Sequence, residues 1–497
     1  MAFTIRDYLA FIFVVHACLV LGWQALGPYP SAFVDGVGAL LAAALSAGLV
    51  AGLYFMQPAT RPVVVAIALT VLIFVQVRTG ALAVLPSEAI GFLQMKPPTD
   101  TEVTFALAVV AAGTAALLLG IEAASRVMPD VPLRTPLART FPAVGVLVMW
   151  FAAIMMAITT IYHLREGALP LAVGWLARLF EVDVALLITI VWLLVYPPSS
   201  RRLLVFGWAL VCVWLALSVV GGSRGGAIRI ATLMILALSL VPGARFSAPR
   251  FLSFIIVVAA VSQFTALGGH MVRLANVTGE SGTKQLVHDL TRQDIYTTVA
   301  PREVETSFVE ALKDLTRTLN PMLIRLGNFD YAVFALTRRG DPNVLDAYIR
   351  SPYALKRILN GLVPGELFDG TELSTAQIFT AAYRGYSLDH VRQNYLSEPW
   401  TIWGLAGVIF GPAGAILVLF TSGLLLQSLF CLLAAFPDPI KGVAQTMYLF
   451  LVVTGAVIMY GIDHMVLPIV HYAMATASAF AIVFLASRAS RLIAMRG

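Results

Sequence analysis

The sequence predicts an all-α polytopic membrane protein: about twelve transmembrane helices with one large helical loop outside the bilayer. Three observations predict it. Of 497 residues, 59% are hydrophobic and only 12% charged, with a mean hydropathy of +0.86, far outside soluble globular usage. Apolar stretches close to the length of about 20 residues that a helix needs to cross a bilayer recur along most of the chain. The charge is gathered instead of spread: residues 269–400 carry 14 of the 33 Lys and Arg and 15 of the 27 Asp and Glu.

Taken in order, the candidate spans lie near 8–27, 32–55, 62–77, 103–124, 141–162, 182–198, 202–220, 224–241, 250–268, 403–435, 442–461 and 465–487. This divides the chain into a bundle over 1–268 of about nine helices, a polar excursion over 269–400, and about three C-terminal helices over 401–497. The segment 168–181 is too short and too charged to span, and suits the outer interface.

A cytoplasmic N-terminus places Arg61, then Arg126, Arg134 and Arg139, then Arg201 and Arg202, Arg245 and Arg250, Lys441, and finally Arg488, Arg491 and Arg496 on one side. That is the positive-inside pattern, and it also puts the C-terminus in the cytoplasm and the large excursion outside the cell membrane. The net charge of +6 is therefore a topological signal first and no sign of nucleic-acid binding.

Within the excursion, Phe308, Leu312, Leu315 and Leu319 recur at helical spacing against Glu310, Lys313, Asp314 and Arg317, a pattern that stops before Pro321. Tyr353, Leu355, Ile358, Leu359 and Leu362 mark a second helix. Cys18, Cys212 and Cys431 fall in apolar segments and read as small buried hydrophobes, with neither a disulfide framework nor a metal cluster implied. The first apolar stretch lacks a basic flank and a small-residue exit, so it reads as a retained span. Internal repeats are not evident, which weighs against a transporter built from inverted halves.

Candidate chemistry begins at Gly221–Ile230, where Arg224 stands at the outer mouth of a span. Arg229 follows about 7.5 Å further along the helix axis. An arginine inside a span costs about 2.5–3.5 kcal/mol on insertion scales, so it faces a polar cavity and a partner unless it snorkels to the interface. In the excursion, Arg273 just after a span, Arg325 in RLGNFDY and Arg384 in AAYRGY complete a set of guanidinium groups suited to phosphate oxygens without a metal. His390 is the natural general base because its ordinary pKa, near 6.5, lets it accept a proton at working pH. Glu398, Asp389 and the Asp463-His464 pair compete for that role. Glu398-Pro399 also suits the cap and first turn of the following span.

These residues resemble those of the bacterial integral-membrane O-antigen and oligosaccharide repeat-unit polymerases of the Wzy type, and of the related O-antigen ligases. Three features carry the resemblance: Ser223-Arg224-Gly225 opening a span, a single large Arg-rich outer loop placed late in the chain, and the run His390, Asn394, Tyr395, Leu396, Glu398, Gly404 and Gly411 entering the next span. In the ligases the histidine belongs to a His-x-His-Asn-like cluster. Here Val391, Arg392 and Gln393 separate His390 from Asn394, which favours the polymerase.

The resemblance implies a GT-C-like glycosyltransferase of the bacterial inner membrane with its large loop in the periplasm. It would act on undecaprenyl-pyrophosphate-linked oligosaccharides, with no metal or other cofactor, and with a chain-length regulator and a flippase as possible partners. Arg224, Arg229, Arg273, Arg325 and Arg384 would bind pyrophosphate, and His390, Glu398 or Asp463 would handle the acceptor hydroxyl. The alternatives are a ligase that delivers glycan to lipid A core and, from another class, a flippase or transporter of lipid-linked glycan.

Overall fold

The computed structural model describes residues 2–27, 31–85 apart from 32, 98–128, 150, 154, 182–220 apart from 198–199, 226–253 apart from 242, 256, 328–338, 375–393, 401–436, 440–454 and 477. It is mostly helical. Among the described residues, five helices are long and apolar enough to cross a membrane: Ile5–Leu26 (α1), Gly36–Phe55 (α2), the continuous run Pro58–Val84, Asp100–Val127 (α5) and Ile402–Leu433 (α12). Shorter helices fill in between: Val182–Leu194 (α6), Arg201–Val220 (α7), Gly226–Ser239 (α8), Asn328–Thr337 (α9), Thr375–Arg384 (α10), Leu388–Gln393 (α11) and Ile440–Thr454 (α13).

The long helices begin where short polar side chains satisfy the first free N–H groups. Thr4 and Asp7 form a reciprocal capping box at α1, as do Thr99 and Glu102 at α5. Asp35 caps α2 through the Gly38 N–H at 2.6 Å. Thr401 caps α12 through the Gly404 N–H at 3.0 Å, so the cap of that span is Thr401 and not Glu398. Large apolar side chains point outward along these helices, among them Phe11, Leu19, Leu40, Leu119, Leu417 and Leu425. An apolar outer surface on this scale suits lipid and not water.

Cys18 and Cys212 lie on that outer surface and Cys431 is half-buried, so the expectation of three buried thiols is corrected. Hydropathy identifies a span but not which of its faces turns inward, because lipid and protein interior are equally apolar.

Contacts between elements define two ends of the bundle. At one, residues Ala2–Phe3 pair antiparallel with Phe246–Ser247, and the Tyr8 hydroxyl donates to the Phe246 carbonyl at 3.0 Å. The Tyr54 hydroxyl donates to Asp7 at 2.9 Å there, joining the start of α1 to the end of α2. At the other end, Ser31 donates to the Leu82 carbonyl at 2.8 Å and Thr104 to Asp35 at 2.8 Å. The end of the third span, the start of α2 and the start of α5 therefore meet.

The third span differs from its expected bounds of 62–77. It runs as a 3₁₀ turn (Pro58–Thr60), an α-helix (Arg61–Val71, α3), a π turn (Leu72–Gln76) and a second α-helix (Val77–Val84, α4) without interruption. The apolar run alone ends at Val77 because Arg78 follows. The helix continues because Arg78 is neutralised inside the protein.

Helices α5 and α12 form the most extensive pair. Gly120 and Gly423 set their crossing: a Cβ on Gly120 would collide with the Phe420 carbonyl, and one on Gly423 with the Leu117 carbonyl. Without water to squeeze out, helices in lipid associate through such close backbone approach. α12 is broken at Gly411, whose φ of 73° and ψ of 174° lie in a region that side chains strain to adopt, and Pro412 opens the following arm. Gly411→Ala is expected to destabilise the protein by about 1–3 kcal/mol, measured by chemical unfolding in detergent micelles.

The arm before that break, residues 402–410, carries α9. Gly404 and Gly407 leave room for it: a Cβ at Gly404 would come within 3.0 Å of Ala335 Cβ, and one at Gly407 would strike Leu336. Although α9 lies in the polar excursion, Phe329, Val333 and Leu336 share one apolar core with the long helices. It is apolar on nearly every side, and Phe329 through Leu336 are all buried, as expected of a helix enclosed on every side.

The two amphipathic loop helices expected around 308–319 and 353–362 lie outside the described residues.

Candidate functional site

Among the polar groups of the described residues, one buried network lies inside the bundle and one exposed turn carries Arg384 and His390. The inner one begins at the π turn. A π turn holds one residue more than an α turn, which rotates everything after it by about 100° around the helix axis. Gln76 and Arg78 both point inward as a result, each with 0% exposure.

Gln76 Nε2 donates to the Ala42 carbonyl at 3.3 Å and to Ser46 Oγ at 3.1 Å. The Ser46 hydroxyl donates to the Ala42 carbonyl at 3.2 Å, and His16 Nδ1 lies 3.1 Å from Ser46 Oγ. Thr79 Oγ1 donates to the backbone and side-chain oxygens of Gln76, both at 3.2 Å. Four buried polar side chains from α1, α2 and the third span thus pair with one another, which offsets most of the cost of burying them, while His16 Nε2 has no hydrogen-bond partner among the described residues.

Arg78 reaches the other way, toward α9. Its Nε donates to Asp330 Oδ1 at 2.8 Å and its Nη2 to Oδ2 at 2.6 Å, a two-pronged ion pair with both side chains almost fully enclosed. The planar fork of guanidinium matches a carboxylate, and the low dielectric strengthens their attraction, which offsets the cost of taking both charges out of water. The sequence reasoning missed this pair. Each half carried a signal: Arg78 interrupts an apolar run, and Asp330 is the only acid in the ten residues of α9. Their 252-residue separation was not legible.

The exposed turn is anchored to α9 through a buried aromatic cluster. Tyr331 and Phe334 meet Phe379 and Tyr383 of α10 edge-on, with ring centroids 5.0–6.4 Å apart. Leu405 and Val408 of α12 complete this cluster. Aromatic pairs at such distances and angles favour one arrangement over sliding alternatives.

Arg384 ends α10, half-buried, with its guanidinium carbon 5.8 Å from the Tyr383 ring centroid. Gly385 then takes a φ of 68°, and the Tyr386 N–H returns to the Ala381 carbonyl at 3.1 Å. This closes the helix in a Schellman turn. Ser387 opens α11 by accepting the His390 N–H at 3.2 Å. The His390 ring, exposed, packs against Tyr386 with centroids 4.7 Å apart. One tight turn therefore fixes Arg384 and His390 on consecutive short helices, with a guanidinium and an imidazole on the same short segment.

Of the other expected site residues, Arg229 is exposed on the first turn of α8. Arg224, Arg273, Arg325, Glu398 and Asp463 lie outside the described residues. Among the described residues no cluster of three or more His, Cys, Asp or Glu could hold a metal ion. No protein-family model, curated protein or solved structure matches the chain.

Proposed function

We propose that this helical membrane protein is a GT-C-like glycosyltransferase that joins lipid-linked oligosaccharide repeat units on the outer face of the bacterial inner membrane. It moves the growing glycan from undecaprenyl pyrophosphate to a hydroxyl at the non-reducing end of the next lipid-linked unit. The observation that supports this reading most directly is the Arg384–His390 turn, which carries a guanidinium and an imidazole on one outer segment seated on the bundle. The resemblance of the Ser223-Arg224-Gly225 and His390–Gly411 segments to the Wzy-type polymerases supports it as well.

In this reaction the acceptor oxygen attacks the anomeric carbon, the bond from that carbon to the pyrophosphate oxygen breaks, and the departing diphosphate carries away the electron pair. The proton lost by the acceptor goes to His390, with Glu398 and Asp463 as the alternative bases. Arg224, Arg229, Arg273, Arg325 and Arg384 supply the fixed positive charge that the leaving group needs.

Purified protein in liposomes, given lipid-linked repeat units and no second acceptor, is expected to lengthen them into a ladder on a gel. A ligase would leave the units unextended until lipid A core was added, and a flippase would move them without forming a product. His390→Ala is expected to slow extension by about 10²–10⁴-fold. Arg224→Glu at normal expression is expected to abolish the ladder, and full-length ladders from it would overturn the phosphate assignment.

A further inference from the structure

Beyond letting the third span continue past Val77, the buried ion pair joins that span to one particular segment, and three observations bear on its role. The π turn aims Arg78 at α9. The fork meets Asp330 with two hydrogen bonds. Gly404 and Gly407 clear the opposite side of α9. From α9 the contacts lead outward through Tyr331 and Phe334 to Phe379 and Tyr383, and Tyr383 precedes Arg384.

We infer that Arg78 and Asp330 are positioning residues: their ion pair fixes the orientation of α9 and, through the aromatic cluster, the placement of the Arg384–His390 turn over the bundle. Two apolar side chains of similar size would fill the same space but would let α9 slide or rotate, because dispersion contacts lack the direction of a two-pronged charged hydrogen bond. The link between this placement and catalysis rests on the glycosyl-transfer reading. The placement itself does not.

The test separates the two. In a chain with Cys18, Cys212 and Cys431 replaced by alanine, Val391→Cys puts a thiol on α11 at a site with 0% exposure. Its rate of labelling by a maleimide in detergent micelles reports how often α11 lifts. Arg78→Met combined with Asp330→Leu is expected to raise that rate by at least about tenfold, with the apparent unfolding midpoint close to that of the unaltered pair.

The same double substitution without the cysteine changes is expected to slow glycan extension by at least about tenfold, with the loss in kcat and not in KM. If the double variant is not monodisperse, Arg78→Lys keeps the charge, loses the fork, and is expected to move both readouts by about threefold in the same direction. An unaltered labelling rate overturns the positioning role, and an unaltered extension rate overturns its link to catalysis. Absence of extension by the unaltered protein overturns the glycosyl-transfer reading instead, and the labelling result still decides whether the pair sets the outer turn.

Discussion

Asp330→Ala is expected to lower stability by about 3–5 kcal/mol, because it leaves the Arg78 guanidinium charged inside a site from which water is excluded. Both side chains are enclosed, at 0% and 2% exposure, and Asp330 accepts two of the guanidinium hydrogen bonds at 2.8 and 2.6 Å. Arg78→Ala is expected to cost less, since a carboxyl that loses the guanidinium can take up a proton and become neutral whereas a guanidinium cannot give one up. Urea unfolding in micelles, followed by tryptophan fluorescence, measures both. Equal losses from the two variants would mean that the site admits water, and a loss under about 1 kcal/mol from Asp330→Ala would mean that α9 is not held by the pair.

Gly423→Leu is expected to have the other large effect, about 3 kcal/mol or more, at the upper end of what overpacking costs. Its Cβ would collide with a backbone carbonyl of α5, at Leu117, and Gly120 meets the Phe420 carbonyl in the same crossing. A flexible side chain could turn aside, but a carbonyl inside a hydrogen-bonded helix cannot without parting the two helices. Gly48→Leu is the control, since nothing lies within 4 Å of a Cβ there. Detergent-solubilised Gly423→Leu should elute as aggregate in size-exclusion chromatography while Gly48→Leu elutes like the unaltered protein.

The spans were legible where hydropathy is sufficient. Four of the five long helices begin and end within about four residues of the apolar runs that mark them, since a helix is the conformation that satisfies its own backbone in lipid. The third ran on past its expected end because hydropathy treats Arg78 as a terminator, while its partner in α9 makes it an interior residue. Gly404 and Gly411 were in view as members of a run entering the next span, and Thr401 was not. What each does became visible only in three dimensions: Thr401 caps, Gly404 admits α9, and Gly411 breaks the helix.

For the candidate site, sequence singled out Arg384 as a phosphate binder and His390 as a general base, six positions apart; the Schellman turn at Gly385 and the Ser387 cap that hold the two together became visible in the structure. Sequence did not single out the short helix beneath them. Ten residues are too few to span and carry an acid, so α9 passes for ordinary loop until its surroundings are known.

The amino-acid sequence by itself determined that this is a helical membrane protein, where most of its long helices run, and that its charge is collected in one excursion. Those properties depend on composition and on local backbone satisfaction, which a linear reading contains. Only the tertiary structure decided which faces turn inward, that a helix of the polar excursion is enclosed by the apolar bundle, and that Arg78 and Asp330 neutralise each other across 252 residues. Charge pairing and close backbone approach act through space, and their partners carry no mark of distance along the chain.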